Sequence, residues 1–196
     1  MTSDPKILFL DIDGPMVPGR SLLMPGNCPG FWGWTFDPVA VSMINFMDFA
    51  IPDFQIVLST HRIGADLKGP YRDFQNVESK EFWEYHFLLQ GITASFHDDW
   101  VTPRHYEDGE YIRRAKWEEI EDWLEAHPNV TQFATVEDDM NDKQSVSSAM
   151  RKKFHLYGES YDNGITWRDF IGICGEFGLM NAKAKYQEYS KQFLSV

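Results

Sequence analysis

The chain has 196 residues, 43% of them hydrophobic and 15% aromatic, with a formal net charge of −12. That apolar content excludes an intrinsically disordered chain, and the length suits one domain, residues 1–196, with a sizeable core. The acidic balance disfavours extended nucleic acid as a partner, because such a surface repels phosphate backbones at long range, although a local basic pocket would overcome this. No apolar stretch is long enough for a membrane span, and Met1-Thr2-Ser3-Asp4-Pro5-Lys6 lacks the basic-then-apolar pattern of a secretion signal. Cys28 and Cys174 are too few and too far apart for a disulfide framework or a zinc cluster. The expectation is a cytoplasmic protein with no membrane association, with homo-oligomerisation left open.

Short apolar runs alternate with amphipathic stretches, which argues for an α/β fold. Ile7-Leu8-Phe9-Leu10 runs into Asp11-Ile12-Asp13-Gly14, so residues 6–11 read as a buried strand of a parallel sheet. Residues 15–36, rich in Pro, Gly and aromatics, form a loop too long to be idle, with Trp32 and Trp34 as candidates for substrate contact or for plain loop packing. Asp37 is placed to cap a helix that begins at Pro38. Residues 54–58 read as the second strand, ending at Ser59-Thr60-His61-Arg62. A helix is expected from Ser79 to Gln90, stopped by Gly91, and a third strand from Ile92 to Phe96. His97 and His105 are open to a role in substrate contact and equally to an ordinary surface position. Residues 113–126 form a helix with Trp117, Ile120, Trp123 and Leu124 on one face, ended by Pro128. Residues 132–136 are a further strand ending at Glu137-Asp138-Asp139, and residues 154–157 a last one. Arg151, Lys152 and Lys153 fit a solvated helix face, and Thr166 with Asp169 has capping-box spacing ahead of the C-terminal helices.

The chemistry gathers at the strand ends, where open parallel sheets bind their ligands. Asp11 and Asp13 repel each other unless a cation or a shared proton compensates. Carboxylate-rich sites suit Mg²⁺, and an aspartate beside that ion can attack phosphorus. A hydroxyl at the end of the second strand can donate to a phosphate oxygen, from Ser59 or, if the strand runs one residue further, from Thr60. Taken singly, each feature has an ordinary explanation: a turn, a strand end, an acidic loop.

Taken in order, the features resemble the haloacid dehalogenase (HAD) superfamily of aspartate-nucleophile phosphatases. A hydrophobic strand ends in Asp-x-Asp-Gly at Asp11–Gly14, a strand ends in Ser59, Lys116 lies near the start of a helix, and a strand ends in the acids Glu137 and Asp138. The Leu58-Ser59-Thr60-His61-Arg62 and Trp123-Leu124 elements are similar to the small HAD domains of RNA-repair proteins. The resemblance implies a Rossmannoid three-layer fold with a central parallel sheet and little or no cap domain. It implies a Mg²⁺-dependent phosphatase in which Asp11 is the nucleophile and Asp13 the acid and base. Ser59 and Lys116, with Arg113 and Arg114 as competitors, would bind the phosphoryl oxygens. Asp11, Asp13 through its carbonyl, Glu137 and Asp138 would hold the metal, with Asp139 and Asp142 acting through water. Thr60, His61 and Arg62 are the candidates for substrate binding, the substrate being a phosphorylated small molecule or nucleotide. Two departures, Glu137 where the family more often has Asp and Pro15 where it has an apolar residue, leave open a catalytically weak phosphate-binding or regulatory module, and the likeness to RNA-repair domains leaves open a phosphatase of nucleic-acid ends.

Overall fold

The computed structural model describes residues 4–19, 35–60, 79–107, 110–112, 114–138, 147–158 and 162–194. In chain order the elements are β1 (Lys6–Leu10), α1 (Pro38–Ala50), β2 (Phe54–Leu58), α2 (Lys80–Leu89), β3 (Phe96–Val101), β4 (His105–Glu107), β5 (Glu110–Ile112), α3 (Lys116–Ala126), β6 (Gln132–Val136), α4 (Ser148–Lys153), β7 (Leu156–Tyr157), α5 (Trp167–Glu176) and α6 (Ala182–Leu194).

Five strands pair in parallel in the order β3-β2-β1-β6-β7, with β1 at the centre. A central strand is covered on both faces, which is why β1 is a continuous apolar run rather than an alternating one. Leu8 and Leu10 pack on one face with Ala40 and Ile44 of α1, Trp83 and Phe87 of α2, and Phe170 and Ile173 of α5. Ile7 and Phe9 face the other way, against Ile120 and Trp123 of α3 and Phe154. The result is the expected three-layer α/β fold. Among the described residues no helix is long and apolar enough to cross a membrane.

The caps read from the sequence are made. The Asp37 carboxylate accepts from the Val39 N–H at 2.9 Å, with Pro38 at the first helical position. Ser79 caps α2, and Thr166 and Asp169 form a reciprocal box at α5. The third strand is a correction: it spans Phe96–Val101, not 92–96. Ile92 and Ala94 are buried, but the Ile92 N–H goes to the Phe87 carbonyl and the Thr93 N–H to the Asn45 side chain, so this apolar run closes off α2 instead of joining the ladder. The strand itself is a sheet edge and carries the polar sequence His97-Asp98-Asp99. The last strand shortens to Leu156–Tyr157, because Phe154 caps α4 and His155 has φ 46°. Helix α3 starts at Lys116, since Ala115 is extended with ψ 139°. The antiparallel hairpin β4–β5 was not anticipated. Residues 20–34 of the long loop lie outside the described residues.

Candidate active site

The ladder continues one residue past the strand ends. The Asp11 N–H donates to the Val136 carbonyl (2.9 Å), the Ser59 N–H to the Leu10 carbonyl (3.0 Å) and the Glu137 N–H to the Tyr157 carbonyl (3.0 Å). Leu10 is in register with Leu58 on one side and Val136 on the other, so Asp11 stands between Ser59 and Glu137. Three strand ends thus bring together the residues that the sequence motifs singled out.

Beyond Asp11 the chain turns sharply. The Met16 and Val17 N–H groups both donate to the Ile12 carbonyl, and Gly14 N–H donates to the Val17 carbonyl. None of these bonds uses residue 15, so Pro15 fits the turn without costing it a donor. Gly14 has φ 81°, and a Cβ there would lie 2.5 Å from Cγ of Asp138. The glycine lets the first motif turn directly against the acid of the fourth.

Asp11, Glu137 and Asp138 each place a carboxylate oxygen within 4.8 Å of the others. This all-oxygen donor set fits a hard divalent cation such as Mg²⁺. The Asp13 side chain is not one of the three. Glu137 is almost fully buried and accepts from Ser59 Oγ at 3.4 Å. Ser59 is therefore turned toward the acidic pair, while the Thr60 hydroxyl hydrogen-bonds to Asp11. Burial pushes the Asp11 carboxyl above the ordinary carboxylate range, and the nearby Asp13 charge pushes the same way. Lys116, the Ile12 N–H and the Thr60 hydroxyl oppose this.

Lys116 is 2% exposed and its Nζ has no hydrogen-bond partner among the described residues. Its charge is offset by the nearby carboxylates of Asp11 and Glu119, while its N–H groups keep donor capacity for a further acceptor. Its place at the first residue of α3 adds the positive end of the helix dipole. The competitor Arg114 is engaged elsewhere, with Glu118 at 3.3 Å and Asp122 at 2.6 Å. Arg113, His61, Arg62, Asp139, Asp142, Trp32 and Trp34 lie outside the described residues.

Two further charged residues reach this region. Arg104 donates from Nη2 to the Thr60 carbonyl at 2.9 Å, holding the backbone that carries the Thr60 hydroxyl. Glu119 is 3% exposed and accepts from Thr102 Oγ1 at 3.3 Å. Burial raises its pKa, against the pull of Lys116 and Arg104. The spacing from Lys116 to Glu119, i to i+3 on one helix face, was the signal available for Glu119. Arg104 had none, because it belongs to a loop whose course depends on the misplaced third strand.

No curated protein and no solved structure matches the chain. A family model does, over residues 7–170, a span that holds every residue of the site: the family described as the HAD domain in Swiss Army Knife RNA repair proteins. With that match over most of its length and the same residues converging in the fold, the chain belongs to this family of the HAD superfamily, whose members are generally hydrolases.

Proposed function

We propose that the protein is a Mg²⁺-dependent phosphatase that hydrolyses a phosphomonoester through an aspartyl-phosphate on Asp11. The observation that carries this reading is a buried Asp11, hydrogen-bonded by Thr60, with the charge of the buried Lys116 acting on it on one side and the acids Glu137 and Asp138 on the other. An Asp11 oxygen attacks phosphorus as the bond to the leaving oxygen breaks, and Asp13 gives that oxygen its proton. Asp13 then takes a proton from water, which attacks phosphorus, releases phosphate and restores Asp11. Lys116 and the Thr60 hydroxyl meet the non-bridging oxygens as charge moves onto them. Mg²⁺, held by Asp11, Asp138 and the Asp13 carbonyl with Glu137 behind them, would offset the repulsion between carboxylate and phosphate.

The family's description favours a second reading, in which the phosphate sits on an RNA end. The net charge of −12 opposes it for a free-standing chain. The experiment is a turnover assay on an aryl phosphate and on 3′- and 5′-phosphorylated oligonucleotides, titrated with Mg²⁺. EDTA should abolish activity, Mg²⁺ should restore it, and Asp138→Ala should raise the Mg²⁺ requirement sharply. Activity unchanged in EDTA overturns the proposal. Phosphate binding without turnover on any substrate makes the protein a binding module instead.

A further inference from the structure

A second cluster of ligand-type side chains lies away from the strand ends, where the edge strand β3 meets the C-terminus of α3. His97 and Asp99, two apart on the strand, and His127, the residue that ends the helix, each place a ligand atom within 4.8 Å of the others. The rings are held by packing. His127 stacks on Trp123 at 3.8 Å between centroids, and His97 meets the edges of both, at 5.1 Å from Trp123 and 5.2 Å from His127. The Trp123 indole N–H donates to the Asp99 carbonyl at 3.0 Å, tying the strand to the helix.

The hydrogen bonds fix what His127 presents. Its Nδ1 lies 2.7 Å from the Trp123 carbonyl oxygen, which can only accept, so Nδ1 carries a proton. In the neutral ring Nε2 is then a lone pair, and it faces Asp99 Oδ2 at 2.8 Å. Two acceptors at that distance need a cation between them, either a proton or a metal. A ring whose other nitrogen donates to a backbone carbonyl is the usual arrangement behind a metal-bound histidine. Burial, with the His127 charge beside it, pushes the His97 imidazole below its ordinary range. Asp99 is 70% exposed, which gives an ion access, and Asp98 and Asp122 line the same cleft.

We propose that His97, Asp99 and His127 form a binding site for a divalent transition-metal ion, separate from the carboxylate site. Imidazole with carboxylate suits Zn²⁺, with a fourth position open to water. Tetrahedral bonds of about 2.0–2.1 Å set neighbouring ligand atoms about 3.3 Å apart, so the His127–Asp99 pair opens by roughly half an ångström to admit the ion. His97 gives up the bond its Nδ1 accepts from the Asp99 N–H, or binds after its ring turns. The bound ion would pin the end of α3, the helix that starts with Lys116, to the sheet edge.

The test is calorimetric titration of the metal-stripped full chain with Zn²⁺, in millimolar Mg²⁺ to occupy the carboxylate site. One Zn²⁺ per chain should bind. His127→Ala and the more conservative Asp99→Asn, which leaves the aromatic packing in place, should each weaken binding by about tenfold or more. In ¹⁵N spectra of the wild type, His127 Nε2 should shift on adding Zn²⁺ while Nδ1 keeps its proton. No stoichiometric binding would leave a proton as the only bridge and overturn the proposal. Binding unchanged in both variants would place the ion elsewhere and overturn it equally.

Discussion

Thr60 and Ser59 are adjacent and chemically alike, yet the structure gives them different work. The Thr60 hydroxyl bonds to Asp11, whereas Ser59 Oγ reaches Glu137 at a long 3.4 Å. Thr60→Val should therefore cut kcat by roughly 10- to 100-fold, the equivalent of one hydrogen bond to a charged group. Ser59→Ala should leave kcat nearly intact and act, if at all, on the Mg²⁺ requirement. Steady-state kinetics of the two variants check this, and the reverse ranking would return the phosphate-binding role to Ser59. The sequence left the choice open because a strand end shifted by one residue exchanges which hydroxyl faces the site. The placing of Asp11 and Glu137 at one edge of the sheet was legible because each directly follows an apolar strand. The approach of His97 to His127 has no sequence signal: the two are 30 positions apart in the chain and meet only once α3 packs beside β3.

Elements whose signal is local were read closely from the sequence. Helix α1 has its Asp37 cap and Pro38 start, and α5 has its Thr166–Asp169 box. The third strand lies further along because the apolar run at Ile92 and Ala94 signals burial and not pairing: the Ile92 N–H is satisfied by α2 and the Thr93 N–H by Asn45. The hairpin β4–β5 was overlooked although Asp108-Gly109, between two short runs with aromatic and apolar residues, is a strong hairpin signal. Packing of one element against another can also reverse a local rule. Alanine is favoured over glycine inside a helix by about 0.8–1.0 kcal/mol. At Gly172 of α5, however, a Cβ would lie 2.3 Å from Cε1 of Tyr157, whose hydroxyl is held by Glu176 at 2.8 Å. Overpacking of about 1–3 kcal/mol should outweigh the gain, so Gly172→Ala should destabilise the protein. Gly175→Ala on the same helix, with nothing within 4 Å of its Cβ, should stabilise it slightly. Urea denaturation of both variants decides the matter, and a stabilising Gly172→Ala would mean that α5 does not approach β7 this closely.

At the scale of the molecule, the arrangement follows from one decision of the fold: β1 takes the centre of a parallel sheet. That placement buries an apolar strand on both faces and delivers Asp11 between the ends of β2 and β6. The helix that covers Ile7 and Phe9 is also the one that brings Lys116 to the same end. In the proposed mechanism Asp11 becomes phosphorylated during turnover. The direct measurement is to acid-quench the enzyme while it turns over an aryl phosphate with Mg²⁺, reduce it with borohydride, and map the peptides by mass spectrometry. An acyl phosphate is reduced to the alcohol, so homoserine should appear at position 11, and none there in Asp11→Asn or in EDTA. Turnover without homoserine at position 11, or with homoserine at another aspartate, would contradict it.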